Sequence, residues 1–96
     1  DVLECAKREL REETGWAARE IKELGAFYLA PGYSSEFLHM FLAQDLYYAP
    51  LEADQDEFIN VEAIAVDKAF EMARTGQFKD GKTLAGLLLA EPYLIK

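Results

Sequence analysis

The run Arg8-Glu9-Leu10-Arg11-Glu12-Glu13-Thr14-Gly15-Trp16 crowds three carboxylates into what reads as the end of a helix closed by a glycine. At about 100° of rotation per residue, Glu9 and Glu13 (i, i+4) are neighbours on one face, about 6 Å apart at Cβ. Arg8 and Glu12 form a second such pair beside them. Two like charges at that spacing repel unless something positive lies between. Val2, Leu3, Ala6 and Leu10 fall in one stripe roughly 100° wide, the usual core-facing arc. Glu13 projects into that stripe and Glu9 lies at its edge. A carboxylate held against a core is costly unless it is paired or bound to metal. Hard oxygen donors of this kind point to magnesium, with manganese as the alternative. The plainer reading is a solvated helix, in which Arg8 and Glu12 are a surface ion pair worth a few tenths of a kcal/mol. The place of Glu13 in the apolar arc favours the metal.

Composition narrows the classes of function. Ninety-six residues at 51% hydrophobic suffice for one small domain with a core and are too few for two. Ten basic against eighteen acidic side chains give a net charge of −8. That balance argues against nucleic acid as a partner and against a basic membrane-binding face. A phosphate compound remains compatible with an acidic protein when divalent ions sit between the two sets of charge. Cys5 is the only cysteine, so there is neither an internal disulfide framework nor a cysteine-based zinc cluster, and a reducing, cytoplasmic setting is expected. No stretch approaches the ~20 apolar residues of a membrane span, and the first residues do not resemble a signal peptide. The chain opens at Asp1 directly in helical pattern, without a cap run, and reads as cut from something longer.

The elements that must position these groups follow from pattern. The first helix is predicted over Val2 to Thr14, with Gly15 as its left-handed terminator. Ile21 to Ala30 and Glu36 to Tyr48 read as strands, joined into a hairpin by Pro31-Gly32-Tyr33-Ser34-Ser35. Residues 49–56, with Pro50, Glu52, Asp54 and Asp56, read with the adjoining Glu57 as an exposed acidic loop. Phe58 to Val66 resumes strand character. Asp67 is expected to cap a helix through Arg74, with Gly76 just past its end. A last helix is expected from about Lys82 to Ala90, capped by Asp80 and stopped near Pro92. This order, without internal repeats, indicates an α+β sandwich rather than alternating βαβ units.

Several other features invite and lose a functional reading. Gly76-Gln77-Phe78-Lys79-Asp80-Gly81-Lys82-Thr83 fits the Walker A pattern. That loop works only between a buried strand and a helix, and here a helix is predicted before Gly76. His39, among Phe37, Leu38, Met40 and Phe41, is given no role. Cys5 is expected to be a small buried apolar residue. Trp16 and the tyrosines at 28, 33, 47 and 48 could stack on an adenine, but packing is their more ordinary use.

At Arg8, Glu9, Leu10, Glu12, Glu13, Gly15 and Trp16 the chain resembles the Nudix hydrolase family, whose signature ends in Arg-Glu-U-x-Glu-Glu-x-Gly-U, with U a bulky apolar residue. Counting back from Arg8, the glutamate of the signature's front half would fall immediately before Asp1. Residues 1–96 are therefore expected to be the C-terminal portion of a single Nudix domain, an N-terminally truncated α/β/α sandwich with a mixed sheet. Ala30 to Glu36, the strand with His39, Asp56-Glu57-Phe58-Ile59 and Gly76 to Thr83 are similar to successive blocks of the ADP-ribose pyrophosphatase branch.

The resemblance implies magnesium-dependent hydrolysis of the diphosphate of ADP-ribose, or of a related nucleoside diphosphate sugar, to AMP and ribose 5-phosphate. Glu9, Glu12 and Glu13 would be the metal ligands, and Arg8 would orient the carboxylates through charge-assisted hydrogen bonds. Glu57 would reach the metals or the attacking water, and Glu36 with Ser35 would contact the substrate near its terminal ribose. For Glu57 the plainer reading is a solvated charge run, and for Glu36 an exposed strand end. The subfamily also implies a homodimer, formed partly through N-terminal strands that lie outside these residues. A non-catalytic fragment or nucleotide-binding module that keeps the fold without turnover is the alternative from another class.

Overall fold

The first helix, α1 (Val2–Thr14), ends where the glycine dictates: Gly15 sits at φ 80° and its N–H donates to the Arg11 carbonyl. At the other end Asp1 is the N-cap, its carboxylate accepting from the Leu3 N–H at 3.0 Å. This is a computed structural model, and it describes residues 1–51 and 61–95. Strands β1 (Trp16–Tyr28) and β2 (Phe37–Tyr48) follow, then helices α2 (Val66–Arg74) and α3 (Gly81–Leu94).

The strands pair, and residues 29–36 between them are too short a connection for a parallel crossover, so the pair is an antiparallel hairpin. The turn is tied by the N–H groups of Tyr33 and Ser34, both donating to the Ala30 carbonyl, with Gly32 at φ 92°. β1 starts at Trp16, five residues before the apolar run that announces it. Residues 61–65 form no strand and Val66 opens α2, which corrects the expected strand from Phe58; Phe58 to Asn60 lie outside the described residues. A stretch of alternating side chains becomes a strand only with a partner for its backbone.

The chain divides into two compact units, Asp1–Glu23 with Phe41–Glu62, and Leu24–Met40 with Ala63–Lys96. In the first, Ala17 is buried and α1 buries no residue. Arg19 stacks over the Tyr47 ring at 4.5 Å and pairs with Asp45, an exposed strand residue in the left-handed region at φ 56°. In the second, Phe70 and Ala90 are buried. A Cβ at Gly25 would stand 3.3 Å from Leu89, and one at Gly86 would stand 3.2 Å from the Met40 sulfur. Strand and helix thus exchange a side chain for a glycine in both directions, which brings α3 close to the hairpin residues of this same unit.

Two helix ends differ from expectation. Ala65, not Asp67, is the cap of α2 and makes no side-chain bond; Asp67 lies in the first turn, where its charge suits the positive end of the helix dipole. Asp80 does cap α3, accepting from Lys82 N–H and the Thr83 hydroxyl. The helix then runs through Pro92 to Leu94 instead of stopping before it. Proline removes one N–H, the partner of the Leu88 carbonyl, but Leu88 is exposed, so water can take the donor's place. The chain before Gly76 is helix α2, so no strand feeds the Walker-like loop. Among the described residues no helix is long and apolar enough to cross a membrane.

Candidate functional site on helix α1

The helix geometry places Glu9 and Glu13 one turn apart, and both are exposed. This corrects the expectation that Glu13 lies against the core. The face of α1 turned toward β1 runs through Leu3, Lys7, Leu10 and Arg11, which border cavities with Ala18 and Ile21. Arg11, half-buried, lays its aliphatic stem on a position that a division into polar and apolar residues assigns to solvent. The half-buried side thus runs through Leu3, Ala6, Leu10 and Arg11, displaced from Val2 toward Arg11, and the two glutamates fall outside it.

Arg8 and Glu12 make their expected pair, Nε to Oε2 at 3.7 Å, so one carboxylate is already engaged by the neighbouring guanidinium. Cys5 is half-buried rather than buried, and it is not merely apolar. Its Sγ donates to Glu9 Oε1 at 2.9 Å, and Arg8 Nη2 approaches the sulfur at 3.7 Å. The bond to Glu9, with desolvation and the nearby negative charge, pushes the Cys5 thiol up, and Arg8 only partly opposes it. The thiol stays protonated and serves as a donor to one of the candidate ligands.

Arg11 was not singled out by sequence. Its Nε donates to the Ala49 carbonyl at 2.6 Å, a part-buried, charge-assisted bond between α1 and the chain leaving β2. No spacing could announce it, because the acceptor is a backbone atom remote in sequence. Around the glycine, Ala49 N–H donates to the Gly15 carbonyl and Thr14 Oγ1 to the Leu10 carbonyl. Trp16 meets Tyr48 edge to face with ring centroids 5.5 Å apart.

The remaining expected residues are not brought to this helix by anything described. Ser35 and Glu36 belong to the second unit, both exposed, with the Glu36 N–H donating to Ser34 Oγ and its carbonyl accepting from Leu29. His39 contacts the Phe37 ring. Glu57 lies outside the described residues.

Among the described residues no three Asp, Glu, His or Cys side chains converge as a ready-made cation cage. The donor chemistry of Glu9 and Glu13 nonetheless suits magnesium, which is commonly held by one or two carboxylates together with water and substrate phosphates rather than by an all-protein cage.

Comparison with known proteins fits this helix. The ADP-ribose pyrophosphatase of Bacillus subtilis (strain 168) is 38% identical over 80 residues, which cover 81% of this chain and 43% of that protein. The GDP-mannose pyrophosphatase of Enterobacter sp. (strain 638) is 37% identical over 83 residues, covering 83% and 44%. A crystal structure of an ADP compounds hydrolase superposes with a TM-score of 0.82 at 30% identity, covering 98% of this chain and 51% of that one. The chain thus spans about half the length of the relatives it matches. The family model described as the NUDIX domain matches residues 1–87, the whole of α1 and its closing glycine included, and the chain belongs to that family.

Proposed function

We propose that these residues are the C-terminal portion of a Nudix domain whose protein, with magnesium, hydrolyses the diphosphate of ADP-ribose to AMP and ribose 5-phosphate, or that of a related nucleoside diphosphate sugar to the corresponding nucleoside monophosphate and sugar phosphate. One observation carries the reading: the Arg8–Trp16 signature folds as the end of one helix, closed at Gly15, with Glu9 and Glu13 exposed a turn apart. The names of the relatives, ADP-ribose and GDP-mannose pyrophosphatases, support a nucleoside diphosphate sugar as the substrate class.

In this reading Glu9 and Glu13, with Glu12, hold the divalent cation, and Arg8 keeps the Glu12 carboxylate oriented. Held there, a divalent cation would supply charge to offset the diphosphate and would make water a better nucleophile at neutral pH. The water oxygen bonds to one phosphorus, the bridging oxygen leaves with the other phosphoryl group, and the water's proton passes to a base. Glu57 is assigned to the cations or to that water. Exposed Ser35 and Glu36 offer a hydroxyl and a carboxylate as hydrogen-bond partners for the hydroxyls of the terminal ribose.

The test uses the full-length protein with ADP-ribose and GDP-mannose, with magnesium or with chelator, and products separated by chromatography. Release of a nucleoside monophosphate and a sugar phosphate, abolished by chelation, is expected. Saturable binding of ADP-ribose without product would replace the enzyme by a binding module.

A further inference from the structure

Three hydrogen bonds close a ring around the end of α1. Arg11 Nε donates to the Ala49 carbonyl at 2.6 Å, Ala49 N–H donates to the Gly15 carbonyl at 2.9 Å, and Gly15 N–H donates to the Arg11 carbonyl at 2.9 Å. Glu12, Glu13 and Thr14 are the residues that lie within it along the chain.

The last turn of a helix is the part that frays, because its carbonyls have no partners within the helix. Packing holds this one only in part: no residue of α1 is fully buried, and a cavity of about 190 Å3 runs along the Arg11 stem, bordered by Leu10, Ala17, Ile21 and Tyr47. The Thr14 hydroxyl ties the turn to itself through the Leu10 carbonyl; the ring ties it to the chain beyond β2, and Arg11 supplies the one side chain in that ring. A guanidinium suits this task, since its planar fork loses little freedom when it bonds and its charge shortens the contact.

We propose that Arg11 is a positioning residue for the reaction: by fastening the last turn of α1 to the end of β2 it fixes where the Glu12 and Glu13 carboxylates stand, and so sets the affinity for the divalent cation. The proposal rests on the reading of these carboxylates as ligands. Arg11 occupies one of the two unspecified positions of that half of the signature, so the family pattern assigns it nothing.

The test measures Mn2+ binding by electron paramagnetic resonance on the full-length protein, beside the Mg2+ concentration giving half-maximal hydrolysis. Arg11→Met keeps the stem and removes the donors. It should weaken Mn2+ binding and raise the half-maximal Mg2+ concentration roughly tenfold, the usual scale for groups that orient ligands. At saturating Mg2+ the KM for ADP-ribose should stay within about twofold, because Arg11 touches neither substrate nor cation in this reading. Arg11→Lys, which retains one donor, should recover part of the affinity. A purely structural role would lower the amount of active protein and leave both cation constants unchanged, and that result overturns the proposal. If Arg11→Met does not fold, Arg11→Leu, which likewise has no donor for the Ala49 carbonyl, is read in the same way. An active parent with unchanged cation constants in the variant defeats this inference alone; a parent that neither binds Mn2+ nor releases product defeats the functional reading as well.

Discussion

Helices α1 and α3 have nearly the same length and are held by opposite means. α1 buries nothing and is fastened by an N-cap, a left-handed glycine and the Arg11 bond to Ala49. α3 buries Ala90 and meets the hairpin through a reciprocal exchange, Leu89 over Gly25 and Met40 over Gly86. The difference teaches how each tolerates change. Where directional polar bonds set position, side chains on the free face can carry charge without disturbing the fold. Where apolar contact sets position, volume decides, and a single added methyl is felt.

That contrast breaks first, and most visibly, at Glu13. In the full-length protein Glu13→Gln is expected to lower kcat by roughly 10²- to 10³-fold, the scale seen when one preorganised charge-stabilising group is lost. Its thermal unfolding should stay within about 0.5 kcal/mol of the parent, as for other exposed positions. A stability loss comparable to that of a core mutant would mean that Glu13 is packed after all. The opposite pattern is expected at Gly86, where Gly86→Val must push Met40 aside and overpack the contact, at a cost of about 1–3 kcal/mol in chemical denaturation. Activity per folded molecule should be unchanged.

The smallest effect lies in the cap of α3. The Lys82 N–H, helped by Thr83 and the Lys82 charge, holds the Asp80 carboxyl below its ordinary range. A carboxyl whose value is lowered by folding stabilises the protein above its unfolded value and loses that contribution as pH falls through the folded one. Denaturation midpoints of the parent should therefore exceed those of Asp80→Ala at neutral pH and converge with them in acid. Parallel curves would show that the cap is not the titrating contact.

Local features were legible because local rules produce them. The span of α1, its end at Gly15, the cap at Asp80 and the place of Gly76 just past α2 all follow from helix period and end chemistry. The seven signature positions were legible for the same reason, since their spacing is read along one helix. The orientation of that helix was not, because Arg11 counts as polar in any periodicity and yet is half-buried on its packed side. Alternation over residues 58–66 suggested a strand, but pairing is a property of two segments, and 61–65 show none. Pro92 suggested a stop, yet a single missing N–H beside an exposed residue does not end a helix already docked.

Sequence alone determined that three carboxylates and a closing glycine share one helix, because 3.6 residues per turn is a local geometry that needs no partner. Tertiary structure decided which side of that helix faces inward, that Arg11 would find Ala49, and that two glycines would admit Leu89 and Met40. Those contacts join residues far apart in the chain, where no periodicity reaches, and only the docked backbone selects them.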